Sequence, residues 1–263
     1  MAKIATLFSS SKGNCTYVSC SGGALFIDAG VSLRQLEAAM CFSSLEMTKI
    51  KGVLVTHEHT DHIKGLYMLL KKYKLKVYGS SGTIRALEEK QALPPDCIPI
   101  VIGCKEYEIG GMQVKPFSTS HDSAESTGYI ITTTDDKKIS IATDLGCVTD
   151  DVFSELCKSD LVMLESNYDE KMLLYGSYPE YLKIRIASKV GHLSNYECGK
   201  TVASLLKNGT ARFVLAHLSE ENNTPLAAYK NTLCELVSEG AVIGKDFLLD
   251  VAPKNCDGKV MIF

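Results

Sequence analysis

Half of the histidines in this chain lie in one short segment, His57 to His62, which reads His-Glu-His-Thr-Asp-His. Residues 50–56 (IKGVLVT), just before it, form an apolar run typical of a buried strand. Side chains two positions apart share a face of an extended chain, so His57 and His59 point the same way. Asp61 and His62 then turn toward a neighbouring position as a helix begins. Four imidazole or carboxylate groups are more than one divalent ion needs, and this set suits zinc, manganese or iron. The segment therefore predicts two neighbouring metal ions.

The remaining ligands are expected at the ends of other strands. Strand-like apolar segments precede three polar residues, His121, Asp144 and His217. A polar residue at such a position can be accessible to an ion while the strand itself stays buried. Taken singly, each could also be a surface histidine or an ordinary turn residue, so their prediction as ligands depends on the cluster at His57.

Composition describes an ordinary globular protein. The chain has 263 residues, of which 45% are hydrophobic and 22% charged, and we expect one domain covering residues 1–263. No apolar stretch is long enough to cross a membrane, and no signal peptide is recognisable, so a cytoplasmic protein without membrane contact is predicted. The ten cysteines form no C-x-x-C pair and are expected as reduced thiols. The net charge of −3 argues against wrapping long nucleic acids but allows a substrate with a few phosphates.

The order of elements indicates a mixed α/β (α+β) fold. Three strands separated by Gly-containing turns open the chain, which favours an antiparallel meander over a β-α-β unit. Two β-rich halves follow one another, and helical patterns accompany each. Apolar runs predict strands at Leu161–Glu165 and Arg212–Ala216, and helical patterns cover residues 63–73 and a late stretch that begins with Thr224 as N-cap and Pro225. Two sheets packed face to face with helices on both outer faces, a four-layer αββα sandwich, is the predicted arrangement.

These motifs resemble the metallo-β-lactamase superfamily over essentially the whole chain. The resemblance rests on the strand ending in Asp28 (FIDAG), the His-x-His-x-Asp-His segment, and the ligand candidates downstream in order. It implies the metallo-β-lactamase fold with two divalent metal ions, zinc or manganese, with iron as a further candidate. It also implies a ligand set in which Asp28 lies beneath the site: His57, His59 and His121 for one ion, Asp61, His62 and His217 for the other, and Asp144 between them.

Two further motifs resemble the phosphodiesterase branches, and most of all the bacterial WalJ/YycJ group. They are Leu-Glu165-Ser-Asn and Gly-His192-Leu-Ser-Asn195, together with an early Ser-Lys-Gly-Asn-Cys loop. Cleavage of a phosphodiester needs a proton donor for the leaving group, and a histidine held by a glutamate can be that donor. We therefore predict His192, Glu165 and Asp61 as catalytic residues. Lys183, Arg185 and Asn195 are predicted substrate contacts.

The predicted activity is phosphodiester hydrolysis by a hydroxide that bridges two metal ions. The substrate is expected to be DNA or RNA, attacked from an end by an exonuclease, or a small phosphodiester. Only 73 positions separate Asp144 from His217, too few for a large inserted nucleic-acid-binding domain. One alternative is a thioester or lactone hydrolase on the same metals. Another is a signalling-system regulator with a structural metal site. The oligomeric state is left open.

Overall fold

The computed structural model describes residues 1–263 and contains fourteen strands and nine α-helices. The strands are β1 (Lys3–Phe8), β2 (Cys15–Cys20), β3 (Gly23–Ile27), β4 (Ile50–Leu54), β5 (Lys76–Gly79), β6 (Ile100–Val101), β7 (Tyr107–Ile109), β8 (Met112–Ser118), β9 (Thr127–Thr132), β10 (Lys138–Ala142), β11 (Leu161–Glu165), β12 (Arg212–Ala216), β13 (Leu248–Val251) and β14 (Met261–Ile262). The helices are α1 (Leu33–Phe42), α2 (Thr60–Ile63), α3 (Leu66–Tyr73), α4 (Ser81–Glu89), α5 (Asp150–Leu156), α6 (Glu170–Tyr175), α7 (Glu180–Ile186), α8 (Asn195–Lys207) and α9 (Pro225–Ser238).

The chain divides into two compact units. The first consists of Met1–Pro116, Ser123–Lys137 and Pro253–Phe263, and the second of Phe117–Asp122 and Lys138–Ala252. The first unit holds a seven-stranded sheet in the order β14-β1-β2-β3-β4-β5-β6. Strands β1, β2 and β3 pair antiparallel, as the predicted meander requires, whereas β3 to β6 pair parallel.

The core of the first unit forms where apolar helix faces cover this sheet. Helix α1 begins with a capping box between Ser32 and Gln35 and buries Leu36 and Met40. The predicted helix from Ile63 to Tyr73 is interrupted in the structure and becomes α2 and α3. The break lies at Gly65, where a Cβ would come within 1.9 Å of the carbonyl oxygen of Val31. This close approach fixes the start of α3 directly behind the histidine segment.

The second unit is built on four parallel strands, β10 to β13, paired in sequence order. Strands β10, β11 and β12 are almost entirely buried, which explains their continuous apolar sequences. Helix α9 begins at Pro225 with the side chain of Thr224 as its N-cap, as the sequence predicts. The carboxyl ends of these strands lie at one edge of the sheet, the usual place for functional side chains in parallel sheets.

The predicted fold class is confirmed, with two mixed sheets accompanied by helices. That the chain is one domain stays a prediction. All ten cysteines are free thiols. No helix has both the length and the apolar character needed to pass through a bilayer.

Candidate metal centre

The histidine segment of the first unit gathers its imidazoles in one place. It follows β4 and runs into α2, with His59 at the N-cap. The ring of His57 lies 4.5 Å from that of His59 and 4.1 Å from that of His62, measured between centroids. His57 and His62 are fully buried. The carboxylate of Asp61 lies 3.3 Å from Nε2 of His62. The structure therefore brings these four predicted ligands together.

A buried carboxylate and a hydroxyl hold two of these rings from behind. Asp28, directly after β3, has a left-handed backbone with φ of 64°. Its Oδ2 accepts a hydrogen bond from Nδ1 of His62 at 2.7 Å, and its Oδ1 accepts one from the backbone nitrogen of Thr56 at 2.8 Å. The Thr56 hydroxyl donates to Asp28 and so accepts from Nδ1 of His57 at 3.1 Å. Both imidazoles thus keep Nε2 as the nitrogen with a lone pair.

In the second unit, the candidate ligands lie at the ends of successive strands. His121 follows β8, Asp144 follows β10, and His217 follows β12. Asp144 and His217 have left-handed backbones, with φ of 58° and 55°. This conformation is uncommon outside glycine and turns the chain sharply at the end of a strand. Such strain in a non-glycine residue costs about 1–3 kcal/mol and is found mostly at functional sites.

One group of side chains in this unit has the geometry of a metal site. Asp144, Glu165, His192 and His217 each offer a ligand atom, and these atoms lie within 4.8 Å of one another. The Oδ1 atom of Asp144 lies 3.5 Å from Nε2 of His217 and 3.8 Å from Nε2 of His121. The three predicted metal ligands of this unit therefore meet around Asp144.

Glu165, at the end of β11, joins the predicted acid to a predicted ligand. Its Oε1 accepts hydrogen bonds from Nδ1 of both His192 and His217, each at 2.8 Å. Its Oε2 accepts from the backbone nitrogens of Leu145 and Leu193 at 2.9 and 3.1 Å. Burial raises the pKa of this carboxyl, but the charge of His192 and the two imidazole hydrogen bonds outweigh burial and hold the pKa below its usual value. The expected pairing of His192 with Glu165 is present, and the second bond to His217 was not anticipated.

These contacts agree with the chemistry of a divalent cation. Ligating histidines usually donate their second ring N–H to a carboxylate or a carbonyl, which fixes the tautomer. His62 does so to Asp28, His217 to Glu165, and His121 to the carbonyl of Gly191 at 2.9 Å. Each ring therefore directs an Nε2 lone pair away from its support, and carboxylate oxygens lie close by. This donor set suits zinc and similar ions.

Two of the predicted substrate contacts, Arg185 and Lys183, form ion pairs in the structure. Arg185 forms two ion-pair contacts with Asp122, the neighbour of His121, and stays partly exposed. The ammonium of Lys183 binds the carbonyl of Leu174 and the carboxylate of Glu180. Both assignments stay predictions.

Asn195 differs because it is fully buried. Its Oδ1 accepts hydrogen bonds from Ser166 and Asn223, and its Nδ2 donates to Asn223. A substrate cannot reach this amide without opening that network. These contacts support the loop that carries His192, and the substrate contact of Asn195 stays a prediction.

Sequence reasoning missed several supporting residues. Thr56 stands directly before the first ligand, at the end of an apolar run, and that position was a usable signal. Asn167, the last residue of the Leu-Glu165-Ser-Asn motif, donates its amide to the carbonyl of His217 at 2.8 Å, and its place in that motif was the signal for it. Gly191 is similar, since a Cβ there would come within 2.2 Å of the carbonyl oxygen of Arg185. It lets the chain turn tightly from α7 into His192.

Comparison with known proteins decides the family. Residues 24–218 match the family described as "Beta-lactamase superfamily domain". The chain belongs to the β-lactamase superfamily. It is 35% identical over 250 residues to exodeoxyribonuclease YycJ of Bacillus anthracis, covering 94% of each chain. It is 32% identical over 255 residues to exodeoxyribonuclease WalJ of Streptococcus pneumoniae, covering 95% of this chain and 94% of that protein. The resemblance to the WalJ/YycJ group is confirmed.

Solved structures of this superfamily share the fold. The metallo-β-lactamase fold protein YhfI of Bacillus subtilis superposes with a TM-score of 0.73 at 16% identity. The match covers 99% of this chain and 98% of that one. The metallo-β-lactamase fold is therefore confirmed. Superfamily membership and the His/Asp cluster together indicate divalent metal binding.

Proposed function

We propose that this protein is a dinuclear metal-dependent hydrolase that cleaves phosphodiesters at the ends of nucleic acids. The observation that carries the proposal is the shared carboxylate of Glu165, which holds a histidine outside the ligand set next to one inside it. Hydrolysis of a thioester has less need of such a histidine, because its thiolate leaving group is less basic than an alkoxide. Two relatives that match nearly the full chain carry the name exodeoxyribonuclease, which supports DNA as the substrate.

Superfamily membership supports a division of the ligands between two ions. In this proposal His57, His59 and His121 would hold one ion, Asp61, His62 and His217 would hold the other, and Asp144 would contribute to both. Two divalent ions would supply a nucleophilic water and would offset the negative charge of the phosphate. Zinc is the first candidate, and manganese the second, because imidazole predominates in the donor set.

The side chains of this chain carry out the remaining steps. Asp61 and Asp144 orient the attacking oxygen. His192 is partly exposed, with 15% of its side chain accessible, so a substrate oxygen can reach its Nε2. Because Glu165 is ionised and accepts the Nδ1 proton, it stabilises the charged imidazolium and keeps the ring oriented. His192 is then able to give the Nε2 proton to the leaving oxygen.

We further propose that the exposed face of α7 guides the nucleic-acid strand. Tyr181 and Ile184 are one turn apart on this helix and 75% and 69% exposed. Aromatic side chains of this kind stack on bases, and neighbouring cations bind phosphates. Arg185 lies on the same helix. The end of this helix is close to His192, because the backbone nitrogen of His192 donates a hydrogen bond to the carbonyl of Ile186. A phosphate that approaches His192 would meet Arg185 first.

A nuclease assay on metal-loaded protein tests this function. Protein loaded with Zn²⁺ or Mn²⁺ is incubated with end-labelled single- and double-stranded DNA and RNA, and with bis-p-nitrophenyl phosphate. We expect shortening from the ends, a loss of about 10²–10⁴-fold in His192→Ala, and little change in Ser188→Ala. Ser188 lies in the same loop and bonds only the carbonyl of Arg185. Turnover of a thioester or lactone that is independent of His192, without any phosphodiester cleavage, would reject the proposal.

A further inference from the structure

The loop between β1 and β2 reaches the histidine segment through one side chain. Residues 9–14 form this loop, and Asn14 is its last residue before β2. Asn14 is buried, and its backbone nitrogen donates to the carbonyl of Asp61 at 2.8 Å. These two residues are 47 positions apart in sequence, so the contact is tertiary. The function proposed above gives this loop no role.

The oxygen and the nitrogen of the Asn14 side-chain amide contact different groups. Its Oδ1 accepts a hydrogen bond from the backbone nitrogen of Ser10 at 3.1 Å, which shapes the loop. Its Nδ2 lies 3.1 Å from Oδ2 of Asp61 and 3.1 Å from Nε2 of His62, and 3.0 Å from the carbonyl of Ser10. The NH₂ group has two N–H bonds, which can donate to the carbonyl of Ser10 and to Oδ2 of Asp61, so the lone pair of His62 Nε2 stays available to a cation. The nitrogen end therefore faces two predicted metal ligands.

Gly30 permits the close approach of Asn14 to Asp61, because it has no side chain. A Cβ at Gly30 would come within 1.6 Å of the carbonyl oxygen of Asp61 and 2.6 Å of the backbone nitrogen of Asn14. The backbone nitrogen of Gly30 in turn donates to the carbonyl of Asn14 at 2.8 Å. Three stretches of chain thus converge at Asp61 through backbone hydrogen bonds. These backbone hydrogen bonds hold Asn14 next to Asp61, so the position of its side-chain amide does not depend on the conformation of the loop alone.

Asp61 gains more from this contact than His62 does. His62 is fully buried, and Asp28 already holds its Nδ1. The carboxylate of Asp61 is 23% exposed, so burial restrains its rotation less than it restrains the ring of His62. A donor on Oδ2 helps to fix the plane in which this carboxylate would meet an ion.

We propose that Asn14 is a positioning residue of the metal centre, whose amide nitrogen orients the carboxylate of Asp61 for cation binding. This inference rests on the proposed metal site and names a residue outside its ligand set. Residues that orient ligands in this way typically contribute a factor of about 10–100 to metal affinity. Asn14 touches neither the leaving group nor the acid, so its effect lies in metal binding.

Zinc affinity of the metal-free protein tests the inference without any nuclease assay. Competition between the protein and a chromophoric chelator for Zn²⁺ gives the dissociation constants of the parent, Asn14→Ala and Ser10→Ala. We expect Asn14→Ala to bind the ion proposed for Asp61 about 10–100-fold less tightly. Ser10→Ala removes the hydroxyl oxygen that accepts a hydrogen bond from the backbone nitrogen of Lys12 in the same loop, and should change affinity less than about twofold.

A double-mutant cycle separates positioning from general damage to the loop. If Asn14 acts through Asp61, then Asn14→Ala should cost nothing further in a chain that already carries Asp61→Ala. Equal losses in both backgrounds, or parental affinity in Asn14→Ala, would overturn the inference. Should Asn14→Ala fail to fold, Asn14→Ser takes its place, because its hydroxyl can accept the Ser10 N–H and is too short to reach Asp61. A chain that binds zinc normally and cleaves no nucleic acid would reject the proposed function and leave this test valid.

Discussion

Replacing Glu165 by glutamine tests the central contact of the second unit. The carboxylate accepts four hydrogen bonds and is fully buried. Two come from Nδ1 of His192 and of His217, and two from the backbone nitrogens of Leu145 and Leu193. Glutamine has nearly the same shape but carries one oxygen and one NH₂ group. In either orientation of the amide, two of the four donors face another donor.

The size of the effect follows from these contacts. A buried donor that loses its acceptor costs about 1–3 kcal/mol, so two of them cost about 2–6 kcal/mol of unfolding free energy. If the NH₂ group faces the imidazoles, both rings can relieve the clash by moving their protons to Nε2. That tautomer removes from His217 the lone pair that a metal needs. Glu165→Gln should therefore lose both stability and metal affinity.

Urea unfolding of chelator-treated protein measures the first effect, and a zinc titration measures the second. The matched control is Glu239→Gln, where the carboxylate is 44% exposed and pairs only with Lys207. Exposed pairs of this kind contribute about 0–1 kcal/mol. A Glu165→Gln protein that unfolds at the parental urea concentration and binds zinc with parental affinity would show that this carboxylate does not organise the two histidines.

Three further predictions concern the metals, the substrate and the thiols. Dialysis against a chelator should lower the melting temperature, and Zn²⁺ should restore it. A ligand at about 1,000 times its dissociation constant adds about 4 kcal/mol to the free energy of unfolding, and differential scanning calorimetry measures the shift. Arg185→Ala should raise KM for DNA roughly tenfold with a smaller change in kcat, because about 1.4 kcal/mol of a charged phosphate contact is lost, and steady-state kinetics separates the two. Burial raises the pKa of Cys198 to about 12 and that of Cys15 well above its usual value, so both should resist iodoacetamide while the exposed Cys41 and Cys104 react, as read by mass spectrometry.

Much of the fold was predictable because local patterns agree with tertiary structure. The predicted strand Leu161–Glu165 and the strand Arg212–Ala216 have the observed bounds, since both are buried apolar runs between clear breaks. The Thr224-Pro225 helix start is also local, because the cap and the proline act within one turn. At Gly65, where the chain approaches Val31 closely, the helix predicted over residues 63–73 is interrupted.

For the candidate site, the sequence indicated which residues are candidate ligands but not the geometry that brings them together. The ends of predicted strands indicated Asp144 and His217, and the structure brings both into one cluster with Glu165 and His192. Their left-handed backbones were not predictable, because they depend on what the turn packs against. The same holds for the bond between Glu165 and His217, which joins residues 52 positions apart. The burial of Asn195 was equally hidden in the sequence.

The supporting contacts reveal a device that both units use. Asp28 follows β3 and Glu165 ends β11, and each is a buried carboxylate that accepts the Nδ1 proton of a histidine, at 2.7 Å from His62 and 2.8 Å from His217. An ionised carboxylate behind an imidazole makes its Nε2 a stronger donor to a cation. Behind His121, the carbonyl of Gly191 accepts the Nδ1 proton, and a neutral carbonyl is a weaker support than a carboxylate. In the proposed division of ligands the two carboxylate-backed histidines share one ion, so we expect that ion to have the more basic imidazole ligands.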